Sequence, residues 1–213
     1  MSSNGLQRLA GKVKSLMNSG VSRLVDERIR EFEETNKAGS KRWFSELAFC
    51  ILTANYSAEG GIRIQRELND CFFNCSVEEL ARELRRMGHR FPEARARYIV
   101  LSRKYADNLK DILVRQGTPF MMREWLVANI KGIGYKEASH FLRNVGYFDL
   151  AILDYHILDI LERYGVIKRP RTLTRKRYLE IEGVIRRLGE LVGLKPGVLD
   201  LYLWYMETGK VLK

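Results

Sequence analysis

The chain has 213 residues, of which 46% are hydrophobic and 30% charged, with only 4 prolines; this composition excludes intrinsic disorder and leaves room for one domain, or two small interleaved ones, with a real core. No apolar run approaches the roughly 20 residues of a membrane span, and the opening MSSNGLQRLAGKVK lacks the apolar centre of a signal peptide, so a soluble intracellular protein is expected. The net charge of +11 points to a polyanion, nucleic acid foremost, because Lys and Arg at phosphates release condensed counterions; a charge-rich, thermophile-like surface is the competing reading.

Taken in order, the chain reads as helices nearly throughout, and no convincing strand or internal repeat interrupts them. Apolar residues recur at helical spacing from Gly5 to Phe32 with a break at Asn18 to Gly20, which predicts two helices. A polar loop, Glu33 to Ser40, precedes Trp43 to Thr53, which is apolar on nearly every side and so belongs in a core. Ala54 to Gly61 breaks that helix and Ile62 to Phe73 resumes the pattern. Ser76 and Glu79 have capping-box spacing at the start of a helix ending near Gly88. Phe91 and Pro92 open the next, whose apolar face continues through Tyr98, Ile99, Leu101, Tyr105 and Leu109. Another helix covers Glu124 to Ile130.

The three cysteines, Cys50, Cys71 and Cys75, are an odd number in a chain without an export signal, so buried thiols are expected rather than a disulfide framework. The spacing of Cys71 and Cys75 lacks further ligands nearby, and the histidines are scattered, so no metal site is expected.

The stretch NIKGIGYKEASHFLRNVGYFDLAILDYH, Asn129 to His156, carries the chemistry. Gly132 and Gly134 let the backbone turn tightly between two helices and leave amides open to an anion, and the next helix start adds its dipole. Lys136 sits in the first turn of that helix, where the dipole and partial burial both disfavour its charged form and favour nucleophilic use; an ordinary solvated lysine is the alternative. After the helix to Val145 and the loop Gly146 to Leu153, Asp154 is placed to cap the helix running to Tyr164 or to stabilise a developing cation on a sugar. A basic loop, Lys168 to Lys176, is followed by helices over Tyr178 to Val192 and Gly197 to Met206, then the tail ETGKVLK.

KGIGYKEASHFL resembles the helix-hairpin-helix of the DNA glycosylase superfamily, and ILDYH resembles its downstream acidic motif. The resemblance implies an all-α fold of two helical subdomains with the active site in the cleft between them. One would cover 46–149 and end in the hairpin at about 124–145; the other would combine 1–45 with 150–213. It further implies that Lys136 is the nucleophile and Asp154 the catalytic carboxylate. No cysteine follows Cys75, where cluster-bearing relatives would need them. The compact length and the ending with Trp204 and Lys213 are similar to the archaeal-type (type 2) 8-oxoguanine DNA glycosylase/AP lyases.

In that group the last-helix aromatic and the C-terminal lysine recognise the flipped base, positions matched by Trp204 and Lys213. Arg90 and Phe91, in GHRFPE, match the pair inserted near the opposite base, although Phe91 beside Pro92 could equally pack in the core. Trp204 could likewise be a buried helix residue. Asn55 would contact the DNA near the lesion or cap a turn. The implied enzyme needs no cofactor and acts as a monomer in a prokaryotic cytoplasm on duplex DNA containing oxidised guanine, and the charge-rich composition fits a thermophilic source. The alternatives are the same lysine chemistry on oxidised pyrimidines, or a non-enzymatic helix-hairpin-helix module that only binds DNA.

Overall fold

The structure, a computed structural model, describes residues 3–213. Among them the chain forms twelve α-helices and one 3-10 turn, with no strand. In chain order the helices are α1 (Ser3–Met17), α2 (Val21–Lys37), α3 (Ser40–Thr53), α4 (Ala58–Asn74), α5 (Val77–Arg86), α6 (Pro92–Ser102), α7 (Leu109–Val114), α8 (Pro119–Asn129), α9 (Tyr135–Asn144), α10 (Tyr155–Arg163), α11 (Arg175–Val192) and α12 (Pro196–Thr208). None is long and apolar enough to cross a membrane. Two compact units result, one of residues 34–145 and one combining 1–33 with 146–213. The boundary expected at residue 46 falls inside α3, whose residues Trp43 to Thr53 are all buried.

The middle unit is built on α3, which packs against α4, α6, α7 and α9. Trp43, Phe44, Leu47, Phe49, Ile51 and Leu52 are fully buried, each contributing about 1.5–3 kcal/mol by leaving water. One carboxylate shares that interior. Glu46 accepts from Gln65 Nε2 at 3.1 Å and from Asn144 Nδ2 at 3.4 Å, and Arg42 approaches it at 3.6 Å. A buried charge is tolerable only when its oxygens are bonded in this way. The consequence is a polar lock between α3 and the end of α9, the helix that begins at the Gly-Ile-Gly turn.

Local chemistry explains where the elements start and stop. The Ser76–Glu79 capping box is present at the start of α5. α4 begins earlier than Ile62 because Ser57 caps the Gly60 amide at 3.1 Å and carries both glycines into the helix. The expected single helix from Pro92 through Leu109 is instead α6, a 3-10 turn at Arg103–Tyr105, and the separate α7. Ser102 bonds back to the Tyr98 carbonyl at 2.8 Å, and Arg103 turns away to the carbonyls of Phe72 and Cys75 at 3.0 and 2.8 Å. Those contacts satisfy the orphan acceptors at the end of α4 in place of continuing α6.

The same helix end corrects the expectation for the cysteines. Cys71 and Cys75 are joined in a disulfide, and Cys50 is a buried thiol outside it. Cys75 is the extended C-cap residue of α4, so its side chain is released from the helical direction and can fold onto Cys71 one turn back. Spacing alone does not reveal where a helix will end.

The unit that joins the termini packs α1 on α11 and α12, and α10 on α12. Between α9 and α10 the chain has no regular structure, and Leu150, Ala151, Ile152 and Leu153 are all buried. Glu182 of α11 accepts the Ala151 amide at 3.0 Å, and the Tyr178 hydroxyl donates to the Ala151 carbonyl at 2.6 Å. This bonding fixes the backbone that delivers Asp154 to the start of α10.

Candidate active site

The hairpin is formed by α8, the turn Ile130 to Gly134, and α9. Ile133 is buried and anchors the turn, while Gly132 adopts φ +84°, a left-handed conformation suited to glycine. A Cβ at Gly132 would stand 2.3 Å from Cδ2 of Tyr98, so the tyrosine ring closes over the turn only because no side chain is there. The Gly134 amide donates to Oε2 of Glu137 at 3.3 Å. Three further contacts staple the paired helices. Arg123, buried on α8, donates to the Ser139 hydroxyl at 3.2 Å and lies 4.9 Å from the Tyr135 ring centroid. The Tyr135 hydroxyl in turn donates to Glu124 at 2.5 Å.

Lys136 is in the first turn of α9, with its side chain 24% exposed and Nζ 3.7 Å from Oε1 of Glu137. It is neither buried nor free in solvent. That leaves the amine open to an incoming electrophile while a carboxylate holds it.

A second cluster in the same unit joins two loops through His89 and Arg95. His89 is buried, with Nε2 3.0 Å from the Leu52 carbonyl and Nδ1 3.0 Å from the Phe91 amide. Both bonds are satisfied together only by a neutral ring protonated on Nε2, which donates to Leu52 while Nδ1 accepts from Phe91. Arg95 donates to the Ala54 carbonyl at 2.5 Å and lies 5.8 Å from the Phe91 ring centroid. Arg90 stacks on the other partner of the pair, 5.0 Å from that ring. Phe91 is 38% exposed, so core packing does not explain it.

Asn55 is exposed, has φ +60°, and is the one non-glycine residue among those described with positive φ. Such a conformation costs about 1 kcal/mol and persists only where the surroundings hold it. Its neighbour Ala54 is held by Arg95, and Tyr56 lies on His89 with ring centroids 4.3 Å apart. Asn55, Arg90 and Phe91 thus belong to one bonded assembly. The family resemblance marked Arg90 and Phe91, and the break after the core helix marked Asn55, but nothing marked His89 or Arg95, whose role shows only when the ends of α3 and α5 meet.

Burial pushes the His89 ring below its ordinary value of 6.5, with the Leu52 carbonyl opposing and the Arg95 charge adding to the shift. The neutral ring's stabilisation is therefore complete above pH 6.5 and is lost as the pH falls through the lower folded-state value. Thermal melts should show the wild type losing stability more steeply than His89→Gln as the pH is lowered from 6.5, accompanied by faster hydrogen exchange at the Phe91 amide. Parallel pH profiles for the two proteins would remove His89 as the titrating group.

In the other unit, Asp154 is the N-cap of α10, its Oδ1 accepting from the Ile157 amide at 2.9 Å. The expected cap is thus present, and Oδ2 remains for another partner. Two residues on, His156 meets Trp204 edge-to-face at 6.0 Å. Trp204 is partly exposed on the last helix, neither fully buried nor a lone surface ring. The tail beyond it is held, because Arg28 donates to the Val211 carbonyl at 3.4 Å, and Lys213 is partly exposed.

Known proteins resemble this chain in sequence and fold. A family model described as 8-oxoguanine DNA glycosylase matches residues 25–194. The chain is 53% identical over 206 residues to the 8-oxoguanine DNA glycosylase/AP lyase of Methanocaldococcus jannaschii, covering 96% of this chain and 99% of that one. A crystal structure of the M. jannaschii protein in complex with a 15mer DNA containing 8-oxoguanine superposes with a TM-score of 0.94 at 52% identity, covering 97% of this chain and 100% of that one. The 8-oxoguanine DNA glycosylase of Thermotoga maritima superposes with a TM-score of 0.91 at 46% identity, over 98% and 100% of the two chains.

Proposed function

This chain belongs to the 8-oxoguanine DNA glycosylase family, and from that membership we propose that it removes 8-oxoguanine from duplex DNA and cleaves the strand at the resulting abasic site. The observation that carries the reading is the near full-length likeness, at about half identity, to a protein crystallised on DNA containing 8-oxoguanine. The charge of +11 suits the substrate.

The target base is inaccessible inside a stacked duplex, so the enzyme flips it out and fills the gap. Arg90 and Phe91 enter the gap, a role supported by the exposed ring and its bonded support from His89 and Arg95. Asn55 contacts the DNA beside the lesion. Gly132 and Gly134 offer backbone amides to a phosphate, positioning the strand without reading its sequence. Trp204 stacks on the extruded base, an interaction worth about 1–3 kcal/mol where measured in single-strand binders, and Lys213 completes recognition of the base.

Lys136 Nζ attacks C1′ of the deoxyribose as the base departs, and the Schiff base that follows permits β-elimination on the 3′ side. Asp154 stabilises the positive charge that develops on the sugar. The route uses side chains alone and draws on no cofactor. The enzyme acts as a monomer in the cytoplasm.

The test is borohydride trapping of the wild-type protein on duplexes carrying 8-oxoguanine, an oxidised pyrimidine, or undamaged guanine. A covalent complex should form foremost with 8-oxoguanine. Preferential trapping on the pyrimidine would reassign the substrate, and salt-sensitive binding to all three without trapping or cleavage would make the protein a DNA-binding module.

A further inference from the structure

We infer that Glu137 is the proton acceptor for Lys136; the inference rests on Lys136 being the nucleophile. Successive helix residues diverge and do not normally face one another. Here they meet, with Lys136 Nζ 3.7 Å from Glu137 Oε1, because Glu137 folds back over the start of α9 to take the Gly134 amide on Oε2. That bond occupies one carboxylate oxygen and turns the other toward the lysine. The side chain is 18% exposed, sheltered enough for its orientation to persist.

Arg95, on α6, is itself 8% exposed; burial lowers its proton affinity, and the attraction of Glu137 works against that loss. Its Nη2 is committed to the Ala54 carbonyl, so it acts on the carboxylate as a charge at longer range and not as a bonded partner. The carboxylate is thus bonded by an amide and faced by a lysine.

The other charged groups on the neighbouring helices are engaged elsewhere. On α8, Arg123 lies over the Phe120 and Tyr135 rings and Glu124 takes the Tyr135 hydroxyl. On α3, Glu46 is bonded by Gln65 and Asn144. Tyr98 of α6 lies under Arg95, 5.9 Å from it. The His140 ring, on the next turn of α9, packs edge-on to Phe49. In the other unit, Asp154 spends Oδ1 on the Ile157 amide, and its proposed role at the sugar cation leaves the lysine's proton to a different group.

The step is balanced as follows. A proton passes from the Lys136 ammonium to Glu137, and the freed Nζ pair forms the bond to C1′. The C1′–N9 bond breaks with its electron pair leaving on the base, which takes a proton from the newly bonded nitrogen. When the remaining nitrogen pair opens the sugar ring, O4′ departs and receives the proton stored on Glu137. An iminium, a 4′-hydroxyl and the original carboxylate result. Direct transfer needs the pair to close to about 2.6–3.2 Å, and such contacts are commonly longer without substrate.

Glutamine at 137 keeps an oxygen for the Gly134 amide but cannot take a proton, so Glu137→Gln separates the helix cap from the chemistry. Single-turnover excision of 8-oxoguanine should be measured from about pH 6 to about pH 10 for the wild type, Lys136→Gln, Glu137→Gln and Glu137→Asp, with duplex affinity and melting temperature in parallel. Glu137→Gln should bind within about twofold of wild type yet excise about 100-fold more slowly near pH 7, the deficit shrinking as hydroxide supplies the free amine at high pH. A deficit under about threefold, or one constant across the range, reduces Glu137 to a cap. Should Glu137→Gln fail to fold, Glu137→Asp decides: it should be slowed by a smaller factor, and a wild-type rate throughout overturns the inference. An active Lys136→Gln would instead bring down the nucleophile, whereas a dead Lys136→Gln beside a fully active Glu137→Gln removes Glu137 alone.

Discussion

Lys136→Gln is expected to form no borohydride-trapped complex with 8-oxoguanine duplex and to lose excision by a factor on the order of 10⁴, the scale on which removal of a nucleophile is felt. The substitution is close to isosteric along the stem and leaves the helix intact. Lys136 is partly exposed in the first turn of α9, where a cation opposes the helix dipole, so a neutral amide there should cost no stability and could add about 0.3–1 kcal/mol. Unchanged melting together with lost trapping therefore isolates the chemistry from the fold. The variant should still bind lesion duplex with a salt dependence near that of the wild type, because in the proposed function the hairpin amides and the remaining basic residues carry the phosphate contacts. Trapping that persists at the wild-type rate would move the nucleophile elsewhere and remove the reason for reading this hairpin as more than a grip.

The helices and their caps were legible because they depend on local chemistry. Ser76 with Glu79, Asp154 ahead of its apolar helix, and the all-apolar run after Trp43 each state their structure within a few residues. The hairpin was legible for the same reason, since two glycines and a buried isoleucine in five positions leave the backbone few alternatives. What stayed hidden is what the chain assembles across distance. Glu46 reads as a lone polar residue in a core helix until Gln65 and Asn144 arrive from α4 and α9.

Arg95 is the clearest case of that limit. In the segment ARAR it looks like one more solvated cation, yet it is buried, supports the loop of Asn55 and underlies Phe91. Glu137 was visible in the sequence as the residue after the lysine, but not as its partner, because neighbours on a helix point apart. Only the fold-back to Gly134 reverses that expectation. The Cys71–Cys75 disulfide was missed for a related reason, namely that it depends on where α4 stops. Arg103, which caps that end from more than a helix away in sequence, supplies the missing information.

Asp154→Asn should separate binding from turnover more sharply than any other substitution in the terminal unit. Asn and Asp are comparable N-caps, so the bond now made by Oδ1 to the Ile157 amide can be kept by the amide oxygen. The backbone leading into it is held independently by Glu182 and Tyr178. The melting temperature should then change little, and affinity for lesion duplex should hold or rise slightly as a negative charge is removed from the neighbourhood of phosphates. Excision should nevertheless fall by about 10²–10³, the usual loss when one preorganised stabiliser of transition-state charge is removed. The deficit should be far smaller on a duplex that already carries an abasic site, where the base has gone and the sugar aldehyde needs no help to lose it. Excision within about threefold of wild type would take Asp154 out of the mechanism and leave it as a cap. An equal loss on both duplexes would shift its role from base departure to formation of the Schiff base.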